Sequence, residues 1–287
     1  TLVEADEFDR SFLHLSPTIA CITSMDLDHL DVYSDAASLQ DAYEEFASQV
    51  KGSLFVEKNI PLKGITYSVS EEADFYIDGI RPDASGSYFD LHTPDGVYRN
   101  QFFNQLGMHN LSNALVALAM ASKSGLLVED LTKSLASFPG IERRLQVLIN
   151  EKNRVLIDDY AHHPTEIKAV YETLKLSFPA DEKCVVFQPH LFSRTQDFMT
   201  DFAVVLSLFD RVLLLDIYPA REMPIEGVSS GVLKEMISGP SVELIAKKEL
   251  ANRLSLVDER IIVLLGAGDI GIEVEGIKHK LLYDEAL

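Results

Sequence analysis

The second half of the chain alternates short apolar runs with longer segments whose apolar residues have helical spacing. The apolar runs predict buried strands at Val155–Ile157, Cys184–Phe187, Val212–Asp216, Val242–Ile245 and Ile261–Leu265. Helices are predicted between these strands at about 165–177, 195–207, 230–237 and 247–256. Because strands that alternate with helices are typical of parallel sheets, this half is predicted to be a doubly wound α/β domain.

The first half of the chain has shorter and more varied elements. A buried strand is predicted at Thr18–Thr23, a helix over 36–50, and a series of short strands between about 53 and 104. Pro94-Asp95-Gly96 separates two of these strand-like runs and predicts a hairpin turn. This half is therefore also predicted to mix helices and strands.

Two helices and a change of pattern mark the middle of the chain. The spacing predicts helices at Asn110–Ser122 and Leu131–Phe138, and Pro139-Gly140 ends the second one. The regular strand–helix alternation begins after about residue 147. We therefore predict two domains, residues 1–143 and residues 144–287.

The densest polar cluster follows the predicted strand Val155–Ile157. The segment Asp158–Glu166 contains two adjacent carboxylates, a phenol and two imidazoles, with Pro164 near its end. Pro164 suits the first turn of a helix and biases His163 towards extended backbone. The cluster is thus predicted between a strand end and a helix start, where open α/β sheets bind ligands. Asp and His also occur in ordinary loops, but this density favours a ligand site.

A second cluster pairs Glu4 with a later acidic loop that contains His29. Both residues are predicted to follow neighbouring strands. A carboxylate and an imidazole there could hold Mg²⁺, which takes few protein ligands and completes its shell with water and phosphate. A solvated acidic loop explains the same residues equally simply.

Two asparagines and two groups of basic residues are further candidates for ligand binding. Asn110 and Asn113 are three residues apart, so they share a helix face and could contact an adenine edge, although Asn is also a common N-cap. Arg194 follows the strand ending at Phe187-Gln188-Pro189-His190 and could bind a carboxylate through two hydrogen bonds. Arg143-Arg144 lies at the predicted domain junction, where an arginine could reach a phosphate or belong to a solvated linker.

Charge and composition narrow the function classes. The 287 residues carry a formal net charge of −20, which argues against sequence-independent nucleic-acid binding because that needs clustered Lys and Arg. We see no signal peptide and no apolar run of bilayer length, so no membrane association is predicted. Cys21 and Cys184 lack the spacing of a zinc site, and a reducing cytoplasm is predicted.

Common nucleotide and hydrolase motifs are missing from these residues. The sequence contains no Walker A motif and no G-x-S-x-G motif. Gly266-Ala267-Gly268-Asp269 lacks the rest of a dinucleotide fingerprint and is predicted to be a tight turn after a strand. The chain begins at Thr1 without an initiator methionine, on what looks like a strand end, which predicts a fragment or a cleaved product.

Taken together, these motifs resemble the Mur ligase family. The matching segments occur in the family's order at Val3–Glu7, Asp28–Asp31, Gly107–Ala114, Arg143-Arg144, Asp158–Glu166, Phe187–Thr195, Leu215–Glu222 and Gly266–Ile270. The two segments Asp158–Glu166 and Phe187–Thr195 are together similar to the alanine-adding branch, whereas murein-peptide ligases differ at the second. The resemblance implies the remainder of a central ATPase domain followed by a Rossmann-like C-terminal domain. It also implies that a UDP-sugar domain and the P-loop lysine would precede Thr1.

The resemblance implies a reaction and a set of roles. The reaction is ATP-dependent addition of L-alanine to UDP-N-acetylmuramate, through an acyl phosphate, in peptidoglycan precursor synthesis. The implied cofactor-binding residues are Asn110 and Asn113 for adenine, Arg144 for the phosphates, Asp159 for the ribose, and Tyr160. The implied catalytic residues are His162, His190 and Arg194, and the implied Mg²⁺ ligands are Glu4 and His29. Arg194 is the expected partner of the alanine carboxylate.

Two departures from the family's pattern leave two other functions open. Leu191 stands where the family often has an arginine, and the stretch Asp41–Glu45 has no counterpart of the carbamylated lysine of some relatives. One alternative is another Mur-type amide ligase, such as a murein-peptide ligase, which the accepted amino acid would distinguish. The other is a non-catalytic nucleotide-binding module. These 287 residues alone are expected neither to hydrolyse ATP nor to form the amide.

Overall fold

The structure is a computed structural model that describes residues 1–25, 33 and 35–283. It divides into two compact units. The N-terminal unit comprises Thr1–Arg81, Ser87–Asn104 and Met108–Phe138, and the C-terminal unit comprises Pro82–Gly86, Gln105–Gly107 and the residues from Pro139 onward. Each unit has hydrophobic core clusters of its own.

The described part of the N-terminal unit contains one mixed sheet, with its strands side by side in chain order. The strands are β1 Ile19–Ile22, β2 Ser53–Glu57, β3 Ile65–Ser68, β4 Phe75–Pro82, β5 Ser87–Thr93 and β6 Gly96–Phe103. Strands β1 to β4 run parallel, whereas β5 and β6 form an antiparallel hairpin in which Thr93 pairs with Gly96. The predicted hairpin turn is therefore confirmed.

Helices cover this sheet. They are α1 Ala36–Gln49, α2 Met108–Lys123 and α3 Val128–Ala136, and a 3-10 segment, Phe8–His14, precedes β1. Asp35 is the N-cap of helix α1, and its carboxylate accepts the Ser38 amide at 2.8 Å and so satisfies an N–H of the first turn. Helix α2 places an apolar face, including Leu111, Leu115 and Leu118, in the core.

The described part of the C-terminal unit contains a second sheet, in the order β11-β10-β9-β12-β8-β7. Its strands are β7 Gln146–Asn150, β8 Val155–Asp159, β9 Lys183–Phe187, β10 Arg211–Leu214, β11 Ser241–Leu244 and β12 Ile261–Leu265. Strands β8 to β12 are parallel, as predicted, and β7 is an antiparallel edge strand that the sequence did not predict.

Helices lie on both faces of this sheet. They are α4 Pro164–Ser177, α5 Phe192–Asp197, α6 Met199–Leu206, α7 Ser230–Met236, α8 Lys247–Leu254 and α9 Ile270–Tyr283. Successive strand residues point to opposite faces. Val263 accordingly belongs to one core cluster with α4, α6 and α7, and Leu264 to another with α8 and α9. The predicted doubly wound α/β fold is confirmed, although the helix predicted over 195–207 is broken at Phe198.

Within the described part of the chain, every helix is too short or too polar to cross a bilayer.

Candidate active site

The polar clusters of the C-terminal unit meet at the carboxyl edge of its sheet. In the strand register Asp159 lies beside Leu265, and Leu265 lies beside Phe187. The segments that follow β8, β12 and β9 therefore begin side by side at the same edge of the sheet. We call the strand-end site the residues of Asp158–Glu166, Gln188–Arg194, Leu215–Glu222 and Gly266–Asp269.

Asp159 is buried and organises the backbone around it. One carboxylate oxygen accepts the Leu145 amide at 2.7 Å, and the other accepts the Ala161 amide at 2.7 Å. A charged acceptor with two backbone donors is well satisfied in a buried place. Asp159 thus fixes both the loop after β8 and the segment that leads into β7, and its predicted contact with a ribose stays a prediction.

Arg143 connects two of the converging segments. Its Nε lies 3.6 Å from the Asp158 carboxylate, and its Nη2 donates to the Gly266 carbonyl. Its guanidinium also lies 4.7 Å from the centre of the Tyr160 ring, within cation–π distance. The adjacent Arg144, the predicted phosphate contact, is exposed. Sequence spacing predicted an arginine at this position without distinguishing the two.

Asp158 is a buried carboxylate with an incomplete set of partners. Its side chain is 4% exposed, and within the described part of the chain its Oδ1 has no hydrogen-bond partner. Burial raises the pKa of Asp158 to about 6, Arg143 opposes this increase, and Asp159 adds to it by charge repulsion. Asp158 therefore carries a proton in the folded protein at pH values where an ordinary aspartate has lost it.

This elevated pKa predicts a specific pH dependence of stability. Between about pH 4 and pH 6 the folded state binds more protons at Asp158 than the unfolded state does, so raising the pH lowers the free energy of unfolding, by up to about 3 kcal/mol. Urea unfolding of wild type and Asp158→Asn between pH 4 and pH 7 measures this. Wild type should lose stability relative to Asp158→Asn as the pH rises, and parallel curves for the two proteins would contradict the expectation.

The two neighbouring histidines have different surroundings. His163 is the N-cap of α4, with Nδ1 2.6 Å from Thr165 Oγ1 and its ring edge-on to Phe198 at 4.5 Å. His162 has Nδ1 2.9 Å from the Tyr160 carbonyl, and its ring lies 6.2 Å from the His190 ring. Of the two imidazoles, His162 is the one whose ring faces His190, and its predicted catalytic role stays a prediction.

Glu166 fixes the backbone of both histidines. Its Oε2 accepts the His162 amide at 2.8 Å and the His163 amide at 3.0 Å, which completes a capping box at the start of α4. The carboxylate also lies 3.4 Å from His162 Nδ1. Glu166 therefore acts on the loop geometry rather than as a free ligand group.

His190 and Arg194 lie together on the segment after β9. Arg194 Nη1 is 3.5 Å from His190 Nδ1, and the His190 ring stacks on Tyr218 with 5.7 Å between ring centres. Burial lowers the pKa of His190, the positive charge of Arg194 and electrostatic repulsion from His162 lower it further, and Glu222 raises it. The arrangement places a neutral imidazole beside a guanidinium, which suits an anionic ligand with a protonated amine.

The turn after β12 lies between the segments that follow β8 and β9, because β12 is the strand between them. Gln188 donates from Nε2 to Asp269 at 2.7 Å and accepts the Ile270 amide at 2.9 Å. Asp269 is also paired with Lys247. A Cβ on Gly268 would lie 2.8 Å from Tyr218 Cβ, closer than real Cβ contacts come, so glycine suits this close approach. The predicted tight strand-end turn is confirmed, while Gln188, Lys247 and Asp269 were not predicted as site residues.

The predicted site residues of the N-terminal unit that the structure describes are divided between helix α2 and the segment before β1. Asn110 is buried near the start of α2, whereas Asn113, one turn later, is exposed. Glu4 is exposed, and the strand predicted to precede it is wrong, because residues 1–7 form no strand. His29 and the Asp28–Asp31 segment lie outside the described residues.

The N-terminal unit is also predicted to bind Mg²⁺. Among the residues that the structure describes, no group of three or more His, Cys, Asp or Glu side chains is arranged to hold a metal. Mg²⁺ often takes only one or two protein carboxylates, so Glu4 has suitable chemistry by itself. The Glu4–His29 pair stays a prediction.

Two domain families of one protein family match the chain in consecutive segments. The Mur ligase middle domain matches residues 4–121, and the Mur ligase glutamate ligase domain matches residues 143–268. The chain belongs to the Mur ligase family. Curated relatives of this chain share the name UDP-N-acetylmuramate–L-alanine ligase. A UDP-N-acetylmuramate–L-alanine ligase from Christiangramia forsetii is 50% identical over 285 residues, which are 99% of this chain and 63% of the relative.

More distant Mur ligases extend the comparison. A UDP-N-acetylmuramate–L-alanine ligase from Cytophaga hutchinsonii is 39% identical over 286 residues, 96% of this chain and 61% of the relative. The chain thus spans 61% to 64% of the curated relatives that it matches. A solved UDP-N-acetylmuramate–alanine ligase from Thermotoga maritima has a TM-score of 0.78 at 22% identity, covering 97% of this chain and 62% of that one. That likeness concerns the Mur ligase fold alone.

Proposed function

We propose that the gene product containing this chain joins L-alanine to UDP-N-acetylmuramate, with ATP, as a step of peptidoglycan precursor synthesis. The observation that carries the proposal is the 50% identity, over 99% of this chain, to a ligase of that name. The strand-end site supports it, because His162, His190 and Arg194 supply an imidazole pair and a guanidinium for an amino acid. A cytoplasmic location agrees with nucleotide substrates.

The proposed chemistry has two balanced steps. An oxygen of the muramoyl carboxylate attacks the γ-phosphorus of ATP, the bond to the β-phosphate oxygen breaks, and ADP leaves. The ammonium of L-alanine first loses one proton. The resulting amine attacks the acyl carbon, and inorganic phosphate leaves with one former carboxylate oxygen and with the second proton that the nitrogen loses as the amide forms. Catalysis of this kind depends mainly on positioning and on neutralising charge.

The residues of the C-terminal unit have proposed roles in the second step. Arg194 binds the alanine carboxylate, because a guanidinium recognises a carboxylate through two parallel hydrogen bonds. His190 is kept neutral at pH 7 by burial and by the guanidinium of Arg194 beside it, so it can accept the proton of the alanine ammonium. His162 lies close enough to share this function. Tyr160, beneath Arg143, forms a wall of the nucleotide subsite.

The remaining roles concern ATP. Asn110 and Asn113 are proposed for adenine, Arg144 for the phosphates and Asp159 for the ribose. Glu4 and His29 would hold Mg²⁺, which neutralises phosphate charge when bound. We propose the functional domain boundary at residues 143/144, within the Arg143-Arg144 pair.

The proposal is tested by phosphate release from the purified gene product with ATP, Mg²⁺ and UDP-N-acetylmuramate. L-Alanine is expected to give the highest kcat/KM in a panel that also contains glycine, L-serine, D-glutamate and a murein-derived peptide. Omission of UDP-N-acetylmuramate should abolish turnover. A preference for the peptide would instead indicate a murein-peptide ligase, and ATP binding without turnover would indicate a nucleotide-binding module.

A further inference from the structure

The loop after β10 supports the segment after β9 through its backbone and through a ring. The Tyr218 amide donates to the Pro189 carbonyl at 2.8 Å, and the Leu191 amide donates to the Tyr218 carbonyl at 2.9 Å. The Tyr218 and His190 rings are almost parallel, at 17°. The position of His190 therefore depends on a loop that lies almost thirty residues later in the sequence.

Leu191 has an unusual backbone conformation in this segment. Its φ of 71° and ψ of 138° lie in a region that side-chain-bearing residues rarely occupy. Such a conformation persists only where the surroundings hold it. The Leu191 carbonyl accepts both the amide and the hydroxyl of Thr195, at 3.1 and 2.7 Å, which ties it to the first turn of α5.

Glu222 supplies the cap that α5 lacks. Leu191, at the N-cap position, makes no side-chain capping bond. Glu222 Oε2 instead accepts the Ser193 amide at 2.9 Å, and Oε1 accepts the Ser193 hydroxyl at 2.5 Å. These bonds, with a further one from the Phe192 amide, hold the pKa of Glu222 below its ordinary value. An ionised carboxylate from the β10 loop thus satisfies the exposed amides of α5.

The same carboxylate lies next to the two proposed substrate-binding groups. Ser193 directly precedes Arg194, so a bond that fixes Ser193 also fixes the start of the Arg194 side chain. The charged and titratable groups that face His190 are Arg194 on α5, His162 after β8, and Tyr218 and Glu222 after β10. Glu222 is the anionic member of this set.

We propose that Glu222 is a positioning residue, which holds Leu191–Arg194 in its strained conformation and thereby fixes Arg194 in the amino-acid subsite. This inference rests on the proposed function. Glu222 contacts the helix start rather than the substrate, so its loss should affect the use of L-alanine and leave the use of ATP and UDP-N-acetylmuramate unchanged.

The test measures KM for each substrate in Glu222→Ala and Glu222→Gln, made in the gene product. Glu222→Ala should raise KM for L-alanine about 10-fold, with KM for ATP unchanged, because the helix cap is lost. Glu222→Gln keeps one acceptor and should raise KM less. It should also move the pH profile of kcat to lower pH, since removing the anion lowers the pKa of His190 further.

Two kinds of control separate positioning from general damage. Glu226→Ala removes an exposed carboxylate from the same loop and should change none of these quantities. Ser193→Ala removes the hydroxyl partner at 2.5 Å, and its effect should largely disappear in the Glu222→Ala background if the two residues act through one contact. Amide hydrogen exchange of Ser193 in each protein reports the cap directly.

The possible results distinguish the positioning role of Glu222 from the proposed ligase function. A raised KM for L-alanine together with faster Ser193 exchange in Glu222→Ala, and neither in Glu226→Ala, supports the positioning role. Unchanged KM for L-alanine in both Glu222 variants overturns it, even if Ser193 exchanges faster. If wild type ligates no L-alanine, the proposed function fails. Ser193 exchange unchanged in the Glu222 variants would then overturn the anchoring of α5 as well.

Discussion

Replacing Arg194 by alanine is expected to lower kcat/KM for L-alanine by about 100-fold in the gene product. A charge-assisted pair between a guanidinium and a carboxylate contributes about 2–3 kcal/mol, and each 1.4 kcal/mol corresponds to about a factor of ten. The effect should be concentrated in KM for L-alanine, because the lost contact binds the amino acid before and during reaction. Steady-state kinetics with L-alanine varied at saturating ATP and UDP-N-acetylmuramate measures it.

Two further variants make the Arg194 result interpretable. Arg194→Lys keeps the charge but loses the two parallel donors, so an intermediate loss of about 10-fold is expected. Arg99→Ala removes an arginine of the N-terminal unit whose side chain is 76% exposed in a surface ion pair, and kcat/KM should stay within about twofold of wild type. Equal kinetics for Arg194→Ala and Arg99→Ala would remove Arg194 from the amino-acid subsite.

Replacing Asp159 by asparagine is expected to lower the free energy of unfolding by about 3 kcal/mol. The two Asp159 oxygens accept the Leu145 and Ala161 amides, each at 2.7 Å in a buried place. Asparagine has one acceptor oxygen, and its NH₂ group would face the other amide donor. One buried N–H is then left unsatisfied and the charge-assisted bond is lost, which together give an effect of this size. Urea unfolding followed by circular dichroism measures the change.

The matched control for Asp159 is Asp216→Asn, since Asp216 also follows a strand of this sheet but is exposed. Its unfolding free energy should remain within about 0.5 kcal/mol of wild type. Stability of Asp159→Asn inside that same interval would show that the two backbone contacts contribute little to the fold.

The strand pattern predicted the fold of the C-terminal unit well because burial on both faces leaves a clear sequence signal. Runs such as Ile261–Leu265 are apolar at every position, and both neighbouring core clusters take alternate residues from them. The break between α5 and α6 at Phe198 was not predicted. The apolar residues keep their helical spacing across the break, and only the backbone conformation changes there.

The contacts of the site were harder to predict for two physical reasons. Arg143 and Arg144 are adjacent and chemically identical, and the left-handed backbone at Arg143, with φ of 56°, helps decide which side chain meets Asp158. Glu222 and Ser193 are separated by 29 residues, and their contact exists only because β9 and β10 are neighbours. Local spacing carries no information about either contact.

The most direct measurement of the central claim follows oxygen atoms through the reaction. The gene product is incubated with ATP, Mg²⁺, L-alanine and UDP-N-acetylmuramate carrying ¹⁸O in its carboxylate, and the products are analysed by mass spectrometry. The alanine-adding mechanism predicts UDP-N-acetylmuramoyl-L-alanine with one ¹⁸O retained in the new amide carbonyl, and one ¹⁸O in the released phosphate. Absence of the alanine amide, or phosphate without label, would contradict it.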